Sequence, residues 1–254
     1  MVMTNPRPEE NILARYYQSD AYISHSNKSL SIVDQLYKIS RTFTLKWKHG
    51  LIQKYSLQKP SSILDFGCGT GTFLEECKKN NMEISGVEPS NTARNQAERK
   101  TAEKIAADIK EIPKTFDVIT MWHVLEHVSD LKETIQTLKG HLNENGTMFI
   151  AVPNHQSLDG KKYREFWAGY DVPRHLWHFT RETMTLLLAQ HDLKLTNVVP
   201  MHLDAYYVSM LSEKYKSSNN RLVGMAKAFV QGWKSNQKAK TTGEYSSLIY
   251  LARK

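Results

Sequence analysis

His123, Glu126 and His127 stand at i, i+3 and i+4 in W-H-V-L-E-H-V, a spacing that puts all three on one face if the segment is helical. Two imidazoles and a carboxylate so placed have three readings: ligands for a divalent ion, a general base among the histidines, or structural hydrogen-bonding groups. A second set follows at 154–180, NHQSLDGKKYREFWAGYDVPRHLWHFT, with His155, Tyr170, Asp171, Arg174, His175 and His178. A polar stretch of that length in a compact domain is usually a lid or binding loop. It must return over the same sheet edge to bring His175 near His127. His127 and His175 are the first candidates for a base or a substrate-orienting group, with His123 and Tyr170 behind them.

A different chemistry is written in Ile63 to Gly71, ILDFGCGTG. A short apolar run, an acid and three alternate glycines ahead of Thr72, Phe73 and Leu74 read as a strand, a tight turn and a helix start. Glycine suits such a turn because it accepts positive φ and lets the backbone approach a ligand, while the helix presents the positive end of its dipole. Gly67, Gly69 and Gly71 are spaced G-x-G-x-G, one residue short of the dinucleotide fingerprint G-x-G-x-x-G. Glu88, at the end of the next strand in G-V-E-P-S, lies about twenty residues beyond the loop, where doubly wound folds place an acid on ribose hydroxyls.

The elements that must hold these groups alternate regularly from Pro60 onward. Strands are expected over 62–66, 83–87, 105–107 (weak), 116–121, 147–152, 193–199 and 246–252, with helices over 72–79, 92–100, 131–142 and 181–191. This predicts an α/β fold, a Rossmann-like doubly wound sheet of seven strands with right-handed crossovers, whose ligands sit outside the carboxyl ends of the strands. Residues 1–60 read as an N-terminal helical extension: Ile12, Leu13, Tyr16 and Tyr17, then Ile32 to Leu51, keep helical spacing. Between them YYQSDAYISHSN carries three tyrosines and a histidine, as a lid or as aromatic staples joining two helices. Residues 61–254 form the α/β domain with a helical insertion at 203–243, effectively a single domain. Within the insertion Leu222, Val223, Met225, Ala226, Phe229, Val230 and Trp233 draw an amphipathic helix. Packing on the body is its common meaning; covering a hydrophobic substrate or touching a membrane is the sharper one.

Composition narrows the classes. With 40% hydrophobic and 24% charged residues, the 254-residue chain is an ordinary globular sequence and not a disordered one. No apolar run approaches the ~18 residues of a spanning helix, and MVMTNPRPEEN lacks a secretory apolar core, so a cytoplasmic location is expected. Cys68 and Cys77 make no disulfide framework and are expected as buried thiols. The net charge of +8 is concentrated at 213–254, where nine Lys/Arg face two Glu. That excess suits a solvated helix face, an anionic membrane, an acidic substrate or nucleic acid; the scattered lysines carry no RNA-reading signature.

Taken with Asp65 two residues before the first glycine, D-x-G-x-G-x-G resembles motif I of the class I S-adenosylmethionine-dependent methyltransferases. The resemblance implies S-adenosyl-L-methionine as cofactor. It assigns Asp65, Gly67, Cys68, Gly69 and Gly71 to the cradle, Glu88 and Pro89 to the ribose, Asp108 and Ile109 to the adenine, and Met121 and Trp122 to the strand end beside the methionine moiety. It also implies a final antiparallel strand beside the sixth. R-H-L-W-H-F-T resembles a group that includes ubiquinone-biosynthesis O-methyltransferases. Some relatives, such as small-RNA 2′-O-methyltransferases, hold a divalent metal with Glu-x-x-Glu-His and a distant histidine. His123 stands here where the first glutamate would, so a metal-free site is expected. The activity implied is methyl transfer to a small-molecule acceptor, at oxygen. The alternatives are an NAD(P)-dependent oxidoreductase, which the glycine spacing opposes, and a non-catalytic cofactor- or RNA-binding module.

Overall fold

In a computed structural model the described residues are 1–9, 12, 16, 32–216 and 221–254, with 32–42 and Arg221 followed as backbone only. The tyrosine-rich stretch after Tyr16, and all but single residues of the helix expected from residue 9, lie outside them. The elements run β1 (Val2–Met3), α1 (Ile32–Tyr55), β2 (Ser62–Phe66), α2 (Thr72–Lys79), β3 (Glu83–Val87), α3 (Asn91–Thr101), β4 (Phe116–Trp122), α4 (Leu131–Gly140), β5 (Leu142–Pro153), α5 (Leu158–Tyr163), β6 (Trp177–His178), α6 (Arg181–Ala189), β7 (Lys194–Pro200), α7 (Asp204–Tyr215), α8 (Arg221–Thr242) and β8 (Ser247–Arg253). They fall into two compact units: residues 9–122, 136–149 and 253–254 form one, and residues 1–8, 123–135 and 150–252 the other. β5 runs through both.

In the first unit the strand order is β3-β2-β4-β5. β2 lies parallel to both neighbours, Asp65 opposite Gly86 on one side and Thr120 on the other. Ile63 and Leu64 are fully buried, as expected of a strand covered on both faces; α1 contributes Leu51 and Ile52, α2 Phe73, Leu74 and Cys77, and α3 Ala97 to this core. Asp117 ties strand starts together by accepting from the backbone N–H and hydroxyl of Ser61, the N–H of Ser62 and the amide of Asn143. Those bonds outweigh the cost of its partial burial and hold its carboxyl down to about 2.

In the second unit the order is β5-β8-β7. Met201 N–H donates to Ser247 O and Thr196 Oγ1 to Leu251 O, so numbers run in opposite senses and β8 is the expected antiparallel final strand. The seven-strand count is corrected: among the described residues the main sheet has six strands. Residues 105–107 make only one bridge, Val87 to Ala106. The stretch runs between the left-handed Ala102, at φ 55, and Asp108, which caps the next 3-10 turn, and pairs with β3 at Ala106 alone.

Two further features of the second unit were not settled by the sequence. Val2 and Met3 pair antiparallel with His178 and Trp177. And α8 packs by its small and polar side: Ala228, Ser235 and Ala239 are buried, while Phe229 and Trp233 are 64% and 49% exposed. The reason is closeness. A Cβ on Gly232 would stand 2.8 Å from the Tyr206 ring, so only small residues fit that seam. Asp159, wholly buried, draws α8 inward by accepting from Ser235 Oγ as well as from Trp167 Nε1 and Ser246 Oγ.

Candidate active site

The glycine turn of the first unit has the conformation its residue types demand. Gly67, Gly69 and Gly71 sit at φ 76, 55 and 70, all left-handed, where a Cβ is strained. Gly71 is also sterically required, since a Cβ there would meet Ala97 Cα at 2.8 Å; at Gly69 a Cβ would enter open space. Gly67 and Cys68 N–H groups both donate to Val87 O, at 2.8 and 3.0 Å, which folds the turn back over β3. Gly71 is the N-cap of α2, and no side chain caps that end.

Glu88 reaches into this turn: Oε2 accepts from Gly69 N–H at 2.9 Å and Oε1 from Ser90 N–H at 2.8 Å. Burial raises its carboxyl above the usual range against these bonds. Asp65 is buried at the strand end and accepts from Thr120 Oγ1 at 2.6 Å. Burial pushes it up to about 7, opposed by that bond and by the Lys48 charge. Burial also raises the thiols of Cys68 and Cys77, so both stay protonated and unreactive. Trp122 lies under Lys48, whose Nζ is 4.2 Å from the ring centroid, with Phe73 edge-on at 5.4 Å. Met121 is buried in the core, Pro89 is exposed, and Asp108 is exposed at the head of its 3-10 turn, accepting from Lys110 N–H with Ile109 buried beside it. These residues fit an adenosine cofactor: the backbone is bare where Gly69 faces open space, and each Glu88 oxygen keeps a lone pair for a ribose hydroxyl.

The second unit gathers the histidines. His123 does not begin an α-helix, as the i, i+3, i+4 spacing suggests; it is left-handed at φ 57, and a 3-10 turn over Leu125–His127 follows. Its N–H is taken by Ala151 O, so the chain turns off the strand abruptly. The ring then lies between two carboxylates, with Nδ1 3.3 Å from Glu126 Oε1 and Nε2 3.0 Å from Asp204 Oδ2. Both nitrogens must donate, which makes it an imidazolium. Burial alone would lower its pKa, but Asp204 and Glu126 raise it to about 10. Glu126 is itself buried; desolvation would raise its carboxyl, and the His123 bond and charge hold it below the usual range.

The 154–180 segment does return to this turn. Leu176 N–H donates to Glu126 O, and the His127 and His175 rings meet edge to face at 4.5 Å between centroids. Each imidazole has Nδ1 against a backbone carbonyl, His127 on Arg174 O at 3.1 Å and His175 on Gly169 O at 2.9 Å. A carbonyl only accepts, so both Nδ1 atoms carry a proton, and Nε2 is the atom left to each ring for other partners. Burial above all, against the pull of the Glu126 charge, keeps His127 neutral with a pKa lowered to about 4. One atom from each of Glu126, His127 and His175 lies within 4.8 Å of the others, and Glu126 Oε2 is buried with no hydrogen-bond partner. Two imidazoles fixed through Nδ1 by backbone carbonyls, beside a bare carboxylate oxygen, are a donor set a divalent ion accepts. His123 takes no part in it.

Tyr170 stacks edge-on against Trp167 and His178, each at 5.1 Å, and burial raises its phenol. His178 meets Thr4 Oγ1 at 3.0 Å, and that hydroxyl already donates to His175 O at 2.6 Å, so His178 Nε2 is the donor. Burial lowers His178 to about 4. Thr4 and Asp204 escaped the sequence reading because they lie 171 and 81 residues from their partners, with no periodicity to announce them.

Known proteins can now be set against this geometry. A family profile described as a methyltransferase domain matches residues 41–198. The ubiquinone biosynthesis O-methyltransferase of Colwellia psychrerythraea is 34% identical over 102 residues, covering 36% of this chain and 42% of that protein. Its counterpart in Pelagibacter ubique is 26% identical over 188 residues, covering 68% and 76%. The chain spans about half the length or less of the first curated relatives it matches. The magnesium protoporphyrin IX methyltransferase of Synechocystis with bound SAH superposes at a TM-score of 0.62 with 12% identity, over 97% of this chain and all of that one, which speaks for the fold. Matched across more than half its length by the methyltransferase-domain profile, this chain belongs to the class I S-adenosylmethionine-dependent methyltransferases.

Proposed function

We propose that the chain transfers a methyl group from S-adenosylmethionine to a hydroxyl of a small-molecule acceptor, with Glu126, His127 and His175 handling that hydroxyl. The observation that carries the reading is the pair of imidazoles, packed edge to face and each anchored through Nδ1 to a backbone carbonyl, beside a buried carboxylate oxygen. Relatives of this chain include ubiquinone biosynthesis O-methyltransferases and a malonyl-[acyl-carrier protein] O-methyltransferase, which supports oxygen as the acceptor atom.

When bound, the cofactor supplies a methyl on a positively charged sulfur, a leaving group that needs no protonation. The protein's work is then to position the acceptor and take its proton. His127, too weakly basic at about 4 to hold a proton near neutrality, orients the hydroxyl through Nε2. His175 Nε2 would take the proton that the acceptor hydroxyl gives up when it is methylated. The resulting imidazolium is stabilised by Glu126 and by Asp171, whose Oδ2 is 3.7 Å from Nε2. His123, already protonated, cannot serve as base; it holds Glu126 in place. In the first unit the left-handed glycines and Glu88 hold the adenosine part of the cofactor. A cytoplasmic setting agrees with two buried thiols and with the lack of any described helix long and apolar enough to cross a membrane.

A second reading shares the same donors. Glu126, His127 and His175 would hold a divalent ion, which as a Lewis acid lowers the pKa of a coordinated hydroxyl. The test is a methylation assay over a panel of phenols and catechols. His175→Ala should lose turnover while S-adenosylhomocysteine affinity persists; equal turnover in His175→Ala and parent would contradict the assignment. Chelator treatment of the parent, followed by melting and by re-addition of Mn²⁺ or Zn²⁺, separates the two versions.

A further inference from the structure

The insertion helix α8 turns its large apolar residues outward. Phe229, Val230 and Trp233 are 64%, 48% and 49% exposed, although Phe229 touches the Tyr206 ring, and the buried side of the helix is built from small and polar residues. A contiguous face of this kind on a globular protein marks something that docks there. At 100° per residue, Lys227, Lys234 and Lys238 form a row along the helix that borders the apolar strip on the Val230 side, and all three are exposed. The 22-residue helix has no Asp or Glu anywhere in it.

We propose that α8 docks on an anionic lipid bilayer surface, lying in the interface plane with Phe229, Val230 and Trp233 in the headgroup–acyl boundary and the three lysines on lipid phosphates. The chemistry selects this occupant. A second copy of the same helix would bring one acid-free lysine row against another. A nucleic acid would engage the lysines and leave Val230 and Phe229 in water. An amphipathic helix with aromatic and aliphatic residues on one side and lysines beside them matches both the apolar and the charged layer of an anionic membrane. The helix lies on such a surface and does not cross it, since no described helix is apolar enough to span.

The test is co-sedimentation of the full chain with vesicles of phosphatidylglycerol and phosphatidylcholine in equal parts, and with phosphatidylcholine alone. The parent should bind the mixed vesicles, weakly or not at all the neutral ones, and let go as salt rises. Lys227→Gln/Lys234→Gln/Lys238→Gln should weaken binding by at least about tenfold at low salt, from roughly one Lys-sized increment per residue. Phe229→Ser/Trp233→Ser should weaken it comparably. All five substituted residues lie outside the cofactor cradle and the histidine group, so S-adenosylhomocysteine affinity and circular dichroism should match the parent and show both variants folded. No binding to mixed vesicles, or equal binding by parent and both variants, overturns the proposal. So does a parent dimer that Phe229→Ser/Trp233→Ser dissociates in the absence of vesicle binding, or binding to an RNA homopolymer alone.

Discussion

Asp204→Asn removes one of the two carboxylates that hold His123 as an imidazolium, and its cost can be worked from the structure. The rise from an ordinary 6.5 to about 10 sets an upper bound of about 5 kcal/mol on what protonated His123 gains on folding. Two partners share that gain, and the ring is still 32% exposed, so solvent screens part of it. A charge-assisted hydrogen bond of this kind is worth about 1.5–3 kcal/mol, and about 1–2 is expected here. The sign with pH follows from the direction of the shift. A pKa raised in the folded state stabilises fully below the unfolded value near 6.5, and the stabilisation fades as pH climbs through about 10. Urea unfolding of parent and variant at a pH near 6 and again near 10 should therefore show a difference of about 1–2 kcal/mol at the lower pH that shrinks toward zero at the higher. An equal difference at both pH values, or none at either, would refute the reasoning that His123 is a protonated bridge.

Gly69→Ala places a Cβ in open space but at φ 55, so it should cost only about 1–2 kcal/mol of stability while sharply weakening S-adenosylhomocysteine binding by calorimetry; Gly71→Ala, whose Cβ would strike Ala97, should cost more stability than Gly69→Ala, and equal costs would count against the packing argument. Asp159→Ala strands three buried donors, Trp167 Nε1, Ser235 Oγ and Ser246 Oγ, and melting should fall by on the order of 10 °C; a drop of only a degree or two would mean water or repacking satisfies them. If a divalent ion occupies Glu126, His127 and His175, chelator should lower the melting temperature of the parent but leave that of His127→Ala/His175→Ala unmoved. An unchanged parent melt supports the metal-free base.

What could be read from the sequence was whatever the local chain encodes by itself. Glycines at alternate positions after an apolar strand announce left-handed turns because few other residues tolerate that φ, and all three proved left-handed. The alternation of strands and helices follows from burial on both faces of β2 and its neighbours, which leaves apolar runs visible. The meeting of 123–128 with 154–180 was foreseeable from loop length and sheet order. Hidden features depend on partners distant in sequence. Asp204 reaches His123 across 81 residues, and Thr4 reaches His175 across 171. The weak third strand shrinks to a single bridge at Ala106, set between the left-handed Ala102 and the Asp108 cap. Helical spacing on α8 signalled a two-sided helix but left open whether its apolar side packs inward or faces outward; the small-residue seam around Gly232 decides which face can approach α7.

The central claim, that the glycine turn with Glu88 cradles S-adenosylmethionine for methyl transfer, meets its most direct test in calorimetric titration of the folded parent with S-adenosylhomocysteine and, separately, with NADH. The account predicts saturable binding of S-adenosylhomocysteine, weakened in Glu88→Ala by the roughly 1–3 kcal/mol that an unpaired hydroxyl pair costs, and no comparable binding of NADH. Tight binding of NADH with none of S-adenosylhomocysteine would contradict it.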